Sequence, residues 1–127
     1  MLKLVTRILA IMLFVLPAQA QEELQIRDIE KGTGEEANVG ETVVVHYTGW
    51  LWGGATFDSS WGRGAPISFG IARGSLIDGW VDGIVGQPVG SQLLLVVPPE
   101  KGYGDMSMGP IPGGSTLVFA VDVLEAR

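Results

Sequence analysis

Glycine is the feature that most limits how this chain can fold. The sequence has 19 glycines in 127 residues, and all of them lie between Gly32 and Gly114. Glycine adopts left-handed backbone conformations easily and destabilises helix interiors, so it is typical of chains with many tight turns. We therefore expect short strands joined by turns and few long helices. The length fits one domain, since domains commonly contain ~100–150 residues.

The first 20 residues differ from the rest of the chain. Lys3 and Arg7 precede an unbroken apolar run over residues 8–16, and Ala18-Gln19-Ala20 resembles a signal-peptidase cleavage site. As a helix this run would be ~14 Å long, well short of the ~30 Å core of a bilayer. We therefore expect residues 1–20 to be a signal peptide, with no stable membrane anchor. Residues 21–127 would then form the domain of an exported protein, either periplasmic or secreted.

Charge and composition exclude several classes of function. Without residues 1–20 the chain keeps 6 basic and 14 acidic residues, and its net charge is −8. Such a chain is repelled by phosphate backbones, so we expect no nucleic-acid partner. The sequence contains no cysteine, which excludes disulfides, thiol catalysis and thiolate metal sites, and His46 is its only histidine. We expect neither a metal nor a cofactor.

β-branched and aromatic residues predict the strands. Residues 42–48 alternate so that Val43, Val45 and Tyr47 share one face of a strand. A turn is expected at Gly53-Gly54. The other predicted strands lie near residues 24–29 and over residues 66–71, 92–97 and 116–124.

One segment, residues 75–85, has the spacing of a helix instead. Ser75 could cap it, whereas Gly79 and Gly83 weaken it, so packing must hold it in place. Its apolar positions form one stripe: Leu76, Ile77, Trp80, Val81 and Ile84. The sequence thus predicts an antiparallel sheet with one short buried helix across its concave face.

Conventional catalytic groups are sparse. A Ser-His-Asp hydrolase would need His46, but the strand period places this residue on the face opposite the apolar one. Aromatic residues stand out instead, and Asp58 directly follows one of them. These observations favour an apolar pocket with a few polar groups. The aromatic residues concerned are Tyr47, Phe57, Trp80, Tyr103 and Phe119.

Five motifs in order resemble those of the FKBP-type peptidyl-prolyl cis-trans isomerases. They are Val45-His46-Tyr47-Thr48-Gly49, Phe57-Asp58-Ser59-Ser60, Leu76-Ile77-Asp78-Gly79-Trp80, Gly102-Tyr103-Gly104 and Thr116-Leu117-Val118-Phe119. The resemblance covers essentially all of residues 21–127. It implies an α+β fold in which a five- or six-stranded antiparallel sheet wraps around one short helix.

The resemblance also implies a proline-binding pocket. Trp80 would form its floor, and the Ile77 backbone N–H and the Tyr103 hydroxyl would donate hydrogen bonds to substrate carbonyls. Asp58 would accept a hydrogen bond from Tyr47 and pair with Arg63. The remaining side chains expected around the substrate are the walls Tyr47, Phe57 and Phe119, the rim residues Leu76 and Ile77, Ile111 in the loop beside the pocket, and Ile67. Ile67 stands where the family commonly has an aromatic residue, so one wall is expected to be thinner.

The implied activity is rotation about X-Pro bonds without covalent or metal chemistry. Proline-containing peptides and unfolded exported proteins would be the substrates, macrolides such as tacrolimus or rapamycin would inhibit, and the protein would be a monomer. Two alternatives stay open. One is a binding module that holds peptides with negligible turnover, and the other is a chaperone that does not depend on proline.

Overall fold

The computed structural model describes residues 23–127, so the predicted signal peptide lies outside the described residues. Within these residues, six strands and two helices follow one another. The strands are β1 (Gln25–Glu30), β2 (Thr42–Leu51), β3 (Thr56–Ser59), β4 (Ile67–Gly70), β5 (Gln92–Val97) and β6 (Leu117–Ala126). The helices are α1 (Ser60–Arg63) and α2 (Asp78–Ile84), and a single 3₁₀ turn covers Pro99–Lys101. In the described part of the chain, no helix is long and apolar enough to cross a membrane.

The six strands form one antiparallel sheet, and this confirms the predicted fold class. Five strands follow the order β1-β5-β6-β2-β3, and β4 pairs with β2 outside this order. Strand β2 is central, because it pairs with β6 along its whole length on one side. On its other side, its first half pairs with β4 and its second half with β3. The turn predicted at Gly53-Gly54 joins β2 to β3, with Gly53 in a left-handed conformation at φ 65°.

The strand period predicted the buried face of the sheet correctly. Val43, Val45 and Tyr47 of β2 are all buried, whereas the alternate residues between them are partly exposed. Strand β6 places its own apolar residues in the same core. These are Leu117, Phe119, Val121 and Val123.

Helix α2 packs against the sheet as predicted, but it begins at Asp78 rather than Ser75. Residues 72–76 instead form a turn, in which the Leu76 N–H donates to the carbonyl of Ala72 at 3.2 Å. Ile77 is the N-cap, and no side chain caps the helix. The two glycines of α2 permit its close approach to β5. A Cβ atom on Gly79 would lie 2.5 Å from Val97 Cγ1.

Two short elements were not predicted from the sequence, namely β3 and α1. Each has four residues, too few to show a period. Strand β3 is held by its pairing with β2, and the Ser59 hydroxyl caps α1 by accepting from the Gly62 N–H at 3.4 Å. These two elements carry Phe57, Asp58 and Arg63 to one end of the sheet.

Candidate functional site

A cavity of about 660 Å³ opens beside α2, and most of the site residues predicted from the sequence line it. Trp80 lies at its floor and is only 3% exposed. The nominated residues that line the cavity are Tyr47, Phe57, Asp58, Leu76, Ile77, Trp80, Tyr103, Ile111 and Phe119. The sheet, the first turn of α2, and the loops that follow β4 and β5 therefore converge on one pocket.

The walls of this cavity stand nearly at right angles to the Trp80 indole. The Tyr47 ring centroid lies 5.1 Å from that of Trp80 at an interplanar angle of 90°, and the Phe119 ring lies 5.3 Å away at 85°. Phe57 extends the wall by packing edge-on against Phe119 at 5.7 Å. Edge-to-face contacts are a favourable geometry for aromatic pairs, so each ring helps to fix its neighbour. The result is an apolar box with a flat floor.

A hydrogen-bonded group of three side chains closes one side of the box. The Tyr47 hydroxyl donates to Asp58 Oδ2, and the Arg63 guanidinium donates to Asp58 Oδ1. The Ser59 N–H also donates to Asp58 Oδ1, at 2.9 Å. Asp58 therefore accepts from three donors and holds the Tyr47 ring in its place on the wall.

The charges of this group follow from its burial and its contacts. Burial and the hydrogen bond to the Asp58 carboxylate raise the pKa of Tyr47 to about 12. Burial acts to raise the pKa of Asp58, but the hydrogen bonds from Tyr47 and Arg63 outweigh it and leave that pKa below its ordinary value. At neutral pH, Asp58 is thus a carboxylate and Tyr47 a neutral hydroxyl, so neither is poised to transfer a proton.

Two residues that line the cavity carry a hydrogen-bond donor without a protein acceptor. Among residues 23–127, neither the Ile77 backbone N–H nor the Tyr103 hydroxyl donates to another protein group. Ile77 is the N-cap of α2, where backbone N–H groups have no partner within the helix. The cavity therefore offers an apolar floor together with two donors suited to carbonyl oxygens.

His46 has a structural environment rather than a catalytic one. It lies on the opposite face of β2 from Tyr47, its ring stacks on Trp61 at 3.7 Å, and its Nδ1 lies 2.8 Å from Ser60 Oγ. Ser60 is fully buried, and its hydroxyl also accepts from the Tyr47 N–H at 2.7 Å. His46, Ser60 and Trp61 do not line the cavity. The hydrolase alternative thus has no support in the geometry.

Two nominated residues lie outside the cavity lining. Arg63 pairs with Asp58 from outside the lining, and Ile67 packs against the hydrophobic core. Phe69, which was not predicted from the sequence, lines the cavity instead, and its ring centroid lies 5.3 Å from that of Trp80. The signal was available in the strand period, because Phe69 lies two residues after Ile67 and shares its face of β4. Strand β4 therefore contributes an aromatic ring to the cavity at position 69 and not at position 67.

The loop that follows β5 contributes more than its two predicted site residues, Tyr103 and Ile111. Besides Ile111, the side chains of Met108 and Pro110 line the cavity. This loop is held by reciprocal backbone hydrogen bonds between Met108 and Ile111, both at 2.9 Å. Met108 is partly exposed, so it extends the apolar surface from the cavity towards solvent.

The chain resembles known proteins along most of its length. Residues 33–124 match the family model described as FKBP-type peptidyl-prolyl cis-trans isomerase. The FK506-binding protein 2 of Emericella nidulans is 44% identical over 102 residues, which cover 76% of each chain. The FK506-binding protein of Neisseria meningitidis serogroup A is 42% identical, over 80% of this chain and 94% of the relative.

Solved structures show the same fold. The crystal structure of AtFKBP13 superimposes with a TM-score of 0.76 at 35% identity, over 82% of this chain and 93% of its own. The crystal structure of FkpA from Escherichia coli superimposes with a TM-score of 0.77 at 40% identity, and this chain spans 48% of its length.

Proposed function

Because the chain belongs to the family of FKBP-type peptidyl-prolyl cis-trans isomerases, we propose that the cavity above Trp80 is its active site. The proline of an X-Pro segment would lie on the indole floor. The observation that carries this proposal is the right-angled packing of the wall rings on Trp80, which leaves a flat-bottomed apolar box. A five-membered ring is the part of a peptide that matches such a shape.

The chemistry requires no covalent step. Resonance in the peptide bond sets a rotational barrier of ~18–20 kcal/mol, and X-Pro bonds therefore exchange over tens of seconds or longer. The twisted transition state has lost this resonance and is less polar than either planar isomer. An apolar box that fits the twisted form better than the planar forms lowers the barrier in both directions. Each ~1.4 kcal/mol of such preference is worth about tenfold in rate.

The polar groups would orient the substrate within the box. The Ile77 N–H and the Tyr103 hydroxyl, which have no acceptor in the described protein, would donate to carbonyl oxygens on either side of the proline. Asp58 would act through Tyr47, whose ring it fixes, and Arg63 would act through Asp58. Leu76 and Ile111 would contact the residue before proline, so an apolar residue should be preferred there.

We extend the proposal to location and inhibition. The pattern of residues 1–20 supports export with cleavage after Ala20, so mass spectrometry of the exported protein should find a chain that begins at Gln21. The relatives are named for binding FK506, and this supports competition by tacrolimus or rapamycin for the same cavity. Unfolded exported proteins would be the physiological substrates, and the protein would act as a monomer.

A protease-free NMR exchange assay on X-Pro peptides tests the activity directly. Wild-type protein should accelerate exchange, and Phe57→Ala should lower the rate by opening a wall of the box. Trp61→Ala is the matched control, because this ring is exposed and lies outside the cavity. If folded wild-type protein bound such peptides without accelerating exchange, the proposal would fail and the binding-module alternative would replace it.

A further inference from the structure

An ionic bridge joins three segments around the cavity, and Asp82 of α2 is its centre. Asp82 Oδ1 accepts from Arg73 Nη2 at 2.5 Å, and its Oδ2 accepts from Lys101 Nζ at 2.6 Å. Arg73 also pairs with Asp78 at 3.0 Å. The Asp82 side chain is 25% exposed, against 59% for Arg73, so the carboxylate is the most shielded member. One carboxylate thus connects the loop before α2, α2 itself and the turn after β5.

The two cations lie close along the chain to the two free donors of the cavity. Arg73 precedes Ile77 by four residues, in a segment held by the hydrogen bond from the Leu76 N–H to Ala72. Lys101 precedes Tyr103 by two residues. The N–H groups of Gly102 and Gly104 both donate to the Pro99 carbonyl, so this segment is a tight turn. A backbone shift at either cation would therefore also move the donor that follows it.

We propose that Asp82 is a positioning residue, which fixes the distance between the Ile77 N–H and the Tyr103 hydroxyl. This inference rests on the proposed function, in which both donors hold the substrate. The hydrogen bonds from Lys101 and then from Arg73 lower the pKa of Asp82, so the bridge is charged at neutral pH. No sequence motif indicates the bridge, because its members are far apart along the chain.

Loss of the bridge should affect kcat/KM more than it affects the free energy of unfolding. Ion pairs that are this exposed usually add little to the free energy of folding. Catalysis, by contrast, is sensitive to small errors in the placement of groups that contact the substrate. We therefore expect loss of the Asp82 charge to separate the two effects, with a clear loss of kcat/KM and a small change in melting temperature.

Asp82→Asn tests this directly against Glu125→Gln. Both variants remove one acidic charge from an ion pair, but Glu125 pairs with Arg127 away from the cavity. In the NMR exchange assay, Asp82→Asn should lower kcat/KM about fivefold, and Glu125→Gln should retain the wild-type value. Asp82→Glu, which keeps the charge, should lie closer to wild type than Asp82→Asn. Equal activity of Asp82→Asn and Glu125→Gln would overturn the inference.

A double-mutant cycle tests whether the two arms act through Asp82. Arg73→Met and Lys101→Met should each lower kcat/KM, and neither should lower it further in the Asp82→Asn background. Additional losses in that background would show that the cations act independently and would overturn the bridge.

A measurement independent of activity separates this inference from the proposed function. The NMR resonances of the Ile77 amide and the Tyr103 ring should shift in Asp82→Asn and stay unchanged in Glu125→Gln. If the wild-type protein were inactive but these shifts occurred, the positioning role would stand and the proposed function would fail. Unchanged resonances in Asp82→Asn would overturn the positioning role whatever the activity.

Discussion

Replacing Asp58 by asparagine is the most informative single change in the pocket. Asparagine has nearly the same shape, and its amide oxygen can still accept one hydrogen bond, but the negative charge is lost. In the wild-type protein the carboxylate accepts hydrogen bonds from the Tyr47 hydroxyl, the Arg63 guanidinium and the Ser59 N–H. The substitution therefore removes the electrostatic part of these contacts and leaves the apolar box in place.

The magnitude follows from the exposure of each partner. Tyr47 is buried, so its hydrogen bond to a carboxylate falls in the range of about 1.5–3 kcal/mol, against about 1 kcal/mol for a neutral acceptor. Arg63 is 46% exposed, and solvent screens its contribution to a small value. The net loss is ~1–2 kcal/mol, which corresponds to about 5- to 30-fold in kcat/KM if all of it is expressed in the transition state.

Two measurements check this reasoning. The NMR exchange assay gives kcat/KM, with circular dichroism to confirm that the variant is folded. The pKa of Tyr47 should fall from about 12 in Asp58→Asn but stay above 10, because burial, its larger cause, remains. Tyrosinate absorbance reports it cleanly in a Tyr103→Phe background, since the chain has only two tyrosines. An unchanged Tyr47 titration, or a full wild-type rate, would refute the role assigned to Asp58.

Four further outcomes are expected. Ligand binding should change tryptophan fluorescence in the wild-type protein but not in Trp80→Leu; an unchanged response would remove Trp80 from the floor. The free energy of unfolding should drop by roughly 2–3 kcal/mol between about pH 10 and 12, because Tyr47 ionises in the unfolded state before it does so in the folded state. Urea titrations should show a smaller drop in Tyr47→Phe. Ser60→Ala should destabilise the fold by about 1–3 kcal/mol by leaving a buried N–H unpaired, whereas Ser59→Ala should cost less in the same denaturation assay. His46→Gln should keep most activity. The rate of the wild-type protein should be nearly flat over about pH 6 to 8, and an inflection in that range would contradict this expectation.

The fold was largely predictable because burial imposes a period on the strands. Residues 42–48 alternate without exception, and the bounds of β5 were predicted without error. The start of α2 was misplaced by three residues, because an apolar stripe records which side chains face the core and not where helical hydrogen bonds begin. Strand β3 and helix α1 depend on pairing and capping partners, which such short segments do not encode locally.

The residues of the site were likewise only partly predictable from the sequence. Local motifs located the residues that lie next to each other in sequence, such as Asp58 beside Phe57. Phe69 was missed because its neighbour Ile67 occupied the position that the family pattern marks. The Asp82 bridge depends on contacts with Arg73 and Lys101 that no local pattern records. Contacts between distant segments are set by the sheet topology, so they became visible only in three dimensions.

Glycine, which limited the fold from the start, also shapes the site. The two glycines of α2 weaken the helix, but a Cβ on either would collide with β5, so they are what allows Trp80 to lie against the sheet. Gly49 of β2 has a similar role within the box. A Cβ there would lie 2.8 Å from the Phe57 ring and 2.9 Å from the Phe119 ring. The apolar walls can pack edge to face only because this strand position carries no side chain.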